Sequence, residues 1–193
     1  MYHELPRSAS FWQFLFSIDQ DLAKASQQEG CACGGRLHRA DYPRKPRGVE
    51  ELPEEYGRRL SFCCDKEGCR KRTTPPSVRF LGRRVFLAAV VVLVSAMRQG
   101  PAPRRVRELS KLFGVDRRTI ARWQVFWREH FPQTQFWKVA RGRLAVACVL
   151  NELPWSLLDV FLRDPDPGPD WGRLLQFLSP ITTAGGLKIT IKS

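Results

Sequence analysis

The chain has 193 residues and a formal net charge of +13, from 32 lysines and arginines against 19 aspartates and glutamates. That length suits one medium domain or two to three small modules, and a sequence pI of about 10.1 points to an acidic polymer as partner. Residues 1–30 carry two basic and four acidic side chains and residues 144–193 carry four and five, so the excess lies between Arg36 and Arg143, as a binding footprint rather than a solubilising charge.

A secretory signal is not expected, because Met1-Tyr-His-Glu lacks a basic start and the Phe11–Phe16 cluster is short. The strongest membrane candidate is Val85–Met97, thirteen residues with only Ser95 polar. A bilayer span takes about 20 residues, so this segment is read as a buried helix and no membrane is expected. The expected location is the cytoplasm, on the nucleoid. In that compartment six cysteines are expected as metal ligands or core residues, not as disulfides.

In chain order, Ser10–Gln28 reads as a helix with Phe11, Phe14, Leu15, Ile18 and Leu22 on one face, ended by Gly30. An exposed Trp12 there would make a docking surface; packing on the chain's own core is the alternative. Residues 1–30 form the first segment.

From Cys31 to Phe80 the texture changes to short, Gly- and Pro-punctuated pieces without a helical period. Arg36–Tyr42 and Arg58–Cys63 read as strands. Pro43–Gly48 is a basic turn and Val49–Tyr56 an acidic loop. Cys31-Ala-Cys33-Gly-Gly35 and Cys64-Asp-Lys-Glu-Gly-Cys69 are two cysteine hooks in Gly-containing turns beside strands, the pattern of a zinc ribbon over residues 31–80. Tetrahedral Zn2+ takes four thiolates from such hooks and supplies folding energy to a segment poor in apolar residues. The first hook is Cys-x-Cys where Cys-x-x-Cys is usual. In the second, Cys64 is preferred for its compact turn, although Cys63 could replace it, and His38 is a weaker alternative ligand. Cys148 lies in an apolar run and is assigned to the core.

Residues 81–131 read as a three-helix DNA-binding domain. Arg83–Gln99 supplies one apolar helix, broken by Gly100-Pro-Ala-Pro103. Arg104–Phe113 places Val106, Leu109, Leu112 and Phe113 at helical spacing. Gly114-Val115-Asp116 is a tight break in which Gly114 ends one helix and Asp116 caps the next through the amide of Thr119. In Arg117–Trp127 the residues Ile120, Trp123 and Phe126 or Trp127 share one face, and Arg117, Arg118 and Arg122 the other. That is the division a recognition helix of a helix-turn-helix needs. Arg98–Arg128 holds nine basic and two acidic residues, which favours DNA over an ordinary helical hairpin. The candidate DNA-contacting residues are Arg104, Arg105, Arg117, Arg118, Thr119 and Arg122 at the helices, with Lys45, Arg47, Lys71 and Arg72 on ribbon loops.

Residues 132–193 form a C-terminal helical segment. It comprises a short basic turn or helix over Gln133–Arg143, a helix over Leu153–Leu162 with Pro154 in its first turn, a linker Asp164–Pro169, a helix over Asp170–Leu178, and a strand or loose tail over Gly185–Lys192. The fold class expected is mainly α with a small β zinc ribbon.

Cys31–Gly48, with Cys-x-Cys-Gly-Gly ahead of Leu-His-x-Ala-x-Tyr-Pro-Arg-Lys-Pro-Arg-Gly, resembles small proteins of bacterial transposable elements, as does Phe62–Arg84. The layout is similar to the zinc-ribbon and helix-turn-helix front ends of insertion-sequence transposases, over about residues 30–140. The resemblance implies zinc on Cys31, Cys33, Cys64 and Cys69 and DNA contact through the Arg117–Arg122 face.

An enzyme is not expected. An RNase-H-like transposase needs a sheet carrying three separated carboxylates for two metal ions. Glu152, Asp159, Asp164, Asp166 and Asp170 instead fall on helices or in the proline linker. Tyr2, Tyr42 and Tyr56 precede the DNA-binding unit, and His3, His38 and His130 are scattered. The expected function is therefore that of a sequence-specific binder of double-stranded DNA, an accessory protein of a mobile element that recognises an element end or target site. It would recruit a transposase or other transposition protein through Phe11–Leu22 and Trp155–Phe177. A zinc-containing transcriptional regulator and a zinc-ribbon RNA binder are the alternatives, and oligomeric state is left open.

Overall fold

The computed structural model describes residues 9–44, 52–80, 106–107, 110–111, 114, 116–144, 146–162 and 171–183. Within them the chain is mainly helical with a small antiparallel sheet. Helix α1 (Ala9–Glu29) buries Trp12, Leu15, Asp19 and Ala23, a three-and-four spacing that lays one stripe along a helix. It stops at Gly30, whose φ of 73° is the left-handed turn that glycine permits.

Five short strands follow: β1 (Leu37–Arg39), β2 (Tyr42–Pro43), β3 (Arg58–Arg59), β4 (Phe62–Cys64) and β5 (Arg72–Thr73). β4 lies between β1 and β5, and β2 pairs with β3, all antiparallel. The strand expected over Arg36–Tyr42 is thus two pieces. The ladder breaks where the Asp41 carboxylate takes the Ser61 amide (3.0 Å) and the Ser61 hydroxyl donates to the Ala40 carbonyl. The register is unchanged across the break, from Leu37↔Cys64 to Pro43↔Arg58. Side chains alternate faces along a strand, so Leu37, Phe62 and Cys64 turn inward while His38, Cys63 and Arg72 share the outer face.

The helical body begins beyond Gly114 (φ 57°) with α2 (Arg117–Val125). It runs on into a π-helical turn, Phe126–His130, and a 3-10 turn, Phe131–Gln133. Asp116 caps α2 through the amide of Arg118 (2.7 Å), not of Thr119 as expected. The reason is that the Thr119 N–H is already taken by the Asp116 carbonyl (2.9 Å). Helix α3 (Gln135–Ala140) is capped by the Thr134 hydroxyl, which accepts from the Trp137 amide (3.2 Å). Helices α4 (Trp155–Leu162) and α5 (Trp171–Leu178) complete the order.

These helices enclose one aromatic core. The Phe131 ring sits 4.8 Å from Trp127 and 5.0 Å from Trp137, centroid to centroid. Trp12, Trp123, Leu157 and Leu174 join the same cluster. The two ends of the chain therefore contribute to a shared interior. Trp12, whose exposure would have marked a docking surface, is 2% exposed, while Phe14 beside it is 49% exposed.

The seam between α1, the sheet and the helical body is polar. The Asp19 carboxylate accepts from the Ser77 hydroxyl (2.6 Å), the Val78 amide (2.6 Å) and Arg79 Nε (2.8 Å). Arg79 also donates to the carbonyls of Tyr56 and Arg58, and the Ser77 amide donates to the Thr182 hydroxyl (2.9 Å). Burial draws the Arg79 guanidinium below its ordinary pKa, opposed by Asp19. Both charges lie out of water, and each nitrogen of the guanidinium and each oxygen of the carboxylate has a partner, which such burial demands.

Several expectations lie outside the described residues: the Val85–Met97 helix, the Gly100–Pro103 break, Lys45, Arg47, Arg104, Arg105, the Asp164–Pro169 linker and the Gly185–Lys192 tail. Of the helix expected over Arg104–Phe113, Val106, Arg107, Ser110 and Lys111 are described as helical, with Val106 buried.

Candidate metal centre and basic helix face

The sheet and the turn after α1 bring Cys31, Cys33, Cys64 and Cys69 together. Their sulfurs all lie within 4.8 Å of one another. Cys31 Sγ is 3.7 Å from Cys69 Sγ, and Cys33 Sγ is 3.5 Å from Cys64 Sγ. Four sulfurs about 2.3 Å from a central ion in a tetrahedron stand roughly 3.8 Å apart, so the set fits one thiolate-bound metal ion. The ladder decides which cysteine of the second hook takes part. Cys64 faces inward opposite Leu37, whereas Cys63 pairs with His38 on the outer face, its thiol directed at the carbonyl of Arg70 (3.5 Å).

Three of the sulfurs receive a backbone amide two residues on: Cys33 from Gly35, Cys64 from Lys66 and Cys69 from Lys71. Such N–H donors favour a thiolate. The Gly35 amide pulls the Cys33 thiol down to about 6, while burial pushes the Cys64 thiol up to about 12. For Cys69 the Lys71 amide pulls down, but Cys33 and burial together outweigh it and the net displacement is upward. Of these three sulfurs Cys33 most favours the thiolate, and a bound cation would expel the protons held by Cys64 and Cys69.

The same turn is built twice. The residue after Cys33 is Gly34 at φ 79°, and the residue after Cys69 is Arg70 at φ 43°. A left-handed residue there swings the following amide back onto the sulfur. Glycine takes that conformation freely; arginine does so at a cost. Gly35 has a different reason to be glycine, because a Cβ on it would collide with Cys64 Sγ.

Around the sulfurs, Asp65 joins the two hooks. Its carboxylate accepts from the Arg36 amide (2.8 Å) and contacts His38 Nε2 (3.2 Å), and His38 holds that carboxyl below the usual carboxylate range. His38 is thus a neighbour of the cluster and not one of its ligands. The Lys66 ammonium donates to the Cys33 carbonyl (3.1 Å).

On α2 the division read from the sequence holds. Arg117, Arg118 and Arg122 are exposed, and Ile120, Trp123 and Trp127 are buried. Thr119 is half-buried and its hydroxyl accepts from Arg122 Nη2 (2.9 Å). Lys71 is exposed just before β5. Arg72, expected on a loop, lies on β5 with its guanidinium against the sheet. Cys148 is half-buried against the core, its thiol pushed up by burial. Sequence reasoning missed Asp19, Arg79 and the left-handed Arg70. A lone Asp inside the apolar stripe of α1 was the only available signal.

Among the described residues no helix is long and apolar enough to cross a membrane. No protein-family model, curated protein or solved structure matches the chain.

Proposed function

We propose that this chain is a zinc-containing, sequence-specific binder of double-stranded DNA that serves a mobile element, marking an element end or target site for a transposition protein. The observation that carries the reading is α2. It follows a left-handed Gly114 and an Asp116 cap, buries Ile120, Trp123 and Trp127, and offers Arg117, Arg118 and Arg122 to solvent from its first two turns. Those are the turns from which a recognition helix reaches base edges in the major groove. Gly114 acts as part of the turn of a helix-turn-helix, and the helical Val106, Arg107, Ser110 and Lys111 belong to its first helix.

The four-sulfur cluster supports zinc as the ion, since a tetrahedral all-thiolate set suits zinc or an iron–sulfur centre and two hooks on antiparallel strands make a ribbon. Bound zinc would pin the hooks and complete the small sheet. The mobile-element context rests on the resemblance of Cys31–Gly48 and Phe62–Arg84, and the protein acts by binding and recruitment, without catalysis of its own.

Footprinting on DNA selected from a random pool tests the reading. Wild type should protect one asymmetric site, and Arg122→Ala should relax preference at one or two positions, each worth about 1–3 kcal/mol. Uniform weakening across all sequences would show that α2 does not read bases, and an inverted repeat would favour a dimeric regulator.

A further inference from the structure

Resting on that DNA-binding reading, we infer that Arg72 on β5 is a pre-oriented fork for one backbone phosphate of the same DNA, an anchor separate from the α2 face. Arg72 Nη1 donates to the Ala40 carbonyl (2.8 Å) and to the Ser61 hydroxyl (2.7 Å). The Ser61 hydroxyl is itself held by the Ala40 carbonyl. The Arg72 guanidinium carbon lies 5.5 Å from the centroid of the Tyr42 ring, a cation–π contact that adds to the two hydrogen bonds holding the group in place.

This anchoring uses one nitrogen only. Nη1 lies on the Cδ side of the guanidinium, so engaging it leaves the opposite edge, Nε–H with Nη2–H, free as a pair of parallel donors. Among the described residues neither atom of that edge has a partner, and no carboxylate pairs with Arg72. Two parallel N–H groups on a fixed plane match two oxygens of one phosphate. The nearby Asp41 does not compete, because its carboxylate is occupied by Arg39 and by the Ser61 amide.

The surroundings fit an anion. Arg70, Lys71 and Arg72 are consecutive and exposed. A flexible lysine on a loop must give up side-chain freedom to hold a phosphate. Arg72 has already given it up to the sheet, so binding there costs less ordering. A phosphate contact positions the protein without reading sequence.

The experiment compares wild type, Arg72→Gln, Arg72→Lys, Ser61→Ala and Arg122→Ala on two probes, the duplex selected by footprinting and a random-sequence duplex of equal length, each titrated with salt. Metal content and far-UV circular dichroism establish folding. Arg72→Gln should weaken both probes by the same factor, about tenfold, and flatten the salt slope by about one unit. Arg72→Lys keeps the charge but not the fork, and should weaken both probes while changing the slope little. Ser61→Ala keeps the guanidinium but removes one of the two acceptors of Nη1, and should weaken both by a smaller factor; it and Arg72→Lys carry the test if Arg72→Gln does not fold. Wild-type affinity in Arg72→Lys, or a loss confined to the selected duplex, overturns the fork while leaving the DNA reading intact if Arg122→Ala still relaxes preference. Failure of wild type to bind either duplex overturns both.

Discussion

The four-cysteine sheet and the helical body hold themselves together by different means. The sheet's buried cluster is Ala23, Leu37, Leu60, Phe62 and Cys64, of which Ala23 is lent by α1. Strands of two or three residues around so small a core are marginal on their own. The helical body instead buries Trp12, Trp123, Trp127, Trp137 and Phe131 together, and aromatic side chains of that size dominate a core's energetics. One region is organised around four convergent thiols, the other by apolar area. The seam between them is the Asp19–Arg79 pair, with Phe16 touching both clusters. The lesson is that the metal and the core should fail separately.

At the proposed zinc site, removing the metal should have the largest effect. Apparent zinc-binding energies of about 10–16 kcal/mol in small thiolate sites are folding energy, so chelation or Cys33→Ser should melt the sheet β1–β5 while α2, α3 and α5 keep their amide protection. Hydrogen exchange measures this, and simultaneous loss of protection in both regions would break the comparison. Acid should mimic chelation. The ligands bind as thiolates and their protons compete, so affinity falls as pH falls; Cys33, drawn down to about 6, keeps its thiolate until mildly acidic pH.

The seam comes next. Asp19→Ala leaves the Arg79 guanidinium buried without its counter-charge and should cost about 3–5 kcal/mol. The measure is the urea midpoint of the metal-loaded protein. The double change Asp19→Leu with Arg79→Met should recover only part of that loss, since it removes the unpaired charge but leaves the Val78 amide and the Tyr56 and Arg58 carbonyls without their partners. A loss below about 1 kcal/mol, within the range of an exposed pair, would mean that α1 is held by Trp12 and Leu15 instead.

The smallest effect sharpens the likeness of the two cysteine turns. Arg70→Gly removes the left-handed strain of an L-residue, roughly 1–2 kcal/mol, and returns part of it as the greater freedom of unfolded glycine. A net gain of about 0.5–1 kcal/mol in the metal-loaded sheet is expected in thermal or denaturant melts. A loss would show that the Arg70 side chain makes a stabilising contact.

Much of this arrangement was local and therefore readable along the chain. The stop at Gly30, the left-handed Gly114, the Asp116 cap and the two-faced α2 depend on residues a few positions apart, and a helical period or a glycine reports them directly. The cysteine pairs were equally legible as hooks, because a ligand turn is a short-range structure. What local pattern left open was which of Cys63 and Cys64 faces inward. A one-residue change of register exchanges the two faces of a strand, and only the pairing of Leu37 with Cys64 settled it. Composition, too, made the ends look like separate aromatic segments. Whether an aromatic face is surface or core depends on what is brought against it, and Trp12 shares its buried cluster with Trp123 and Trp127, more than a hundred residues away. Asp19 is the clearest case of all. In sequence it is a flaw in an apolar stripe; in the fold Ser77, Val78 and Arg79 supply the three donors that let a carboxylate stay out of water.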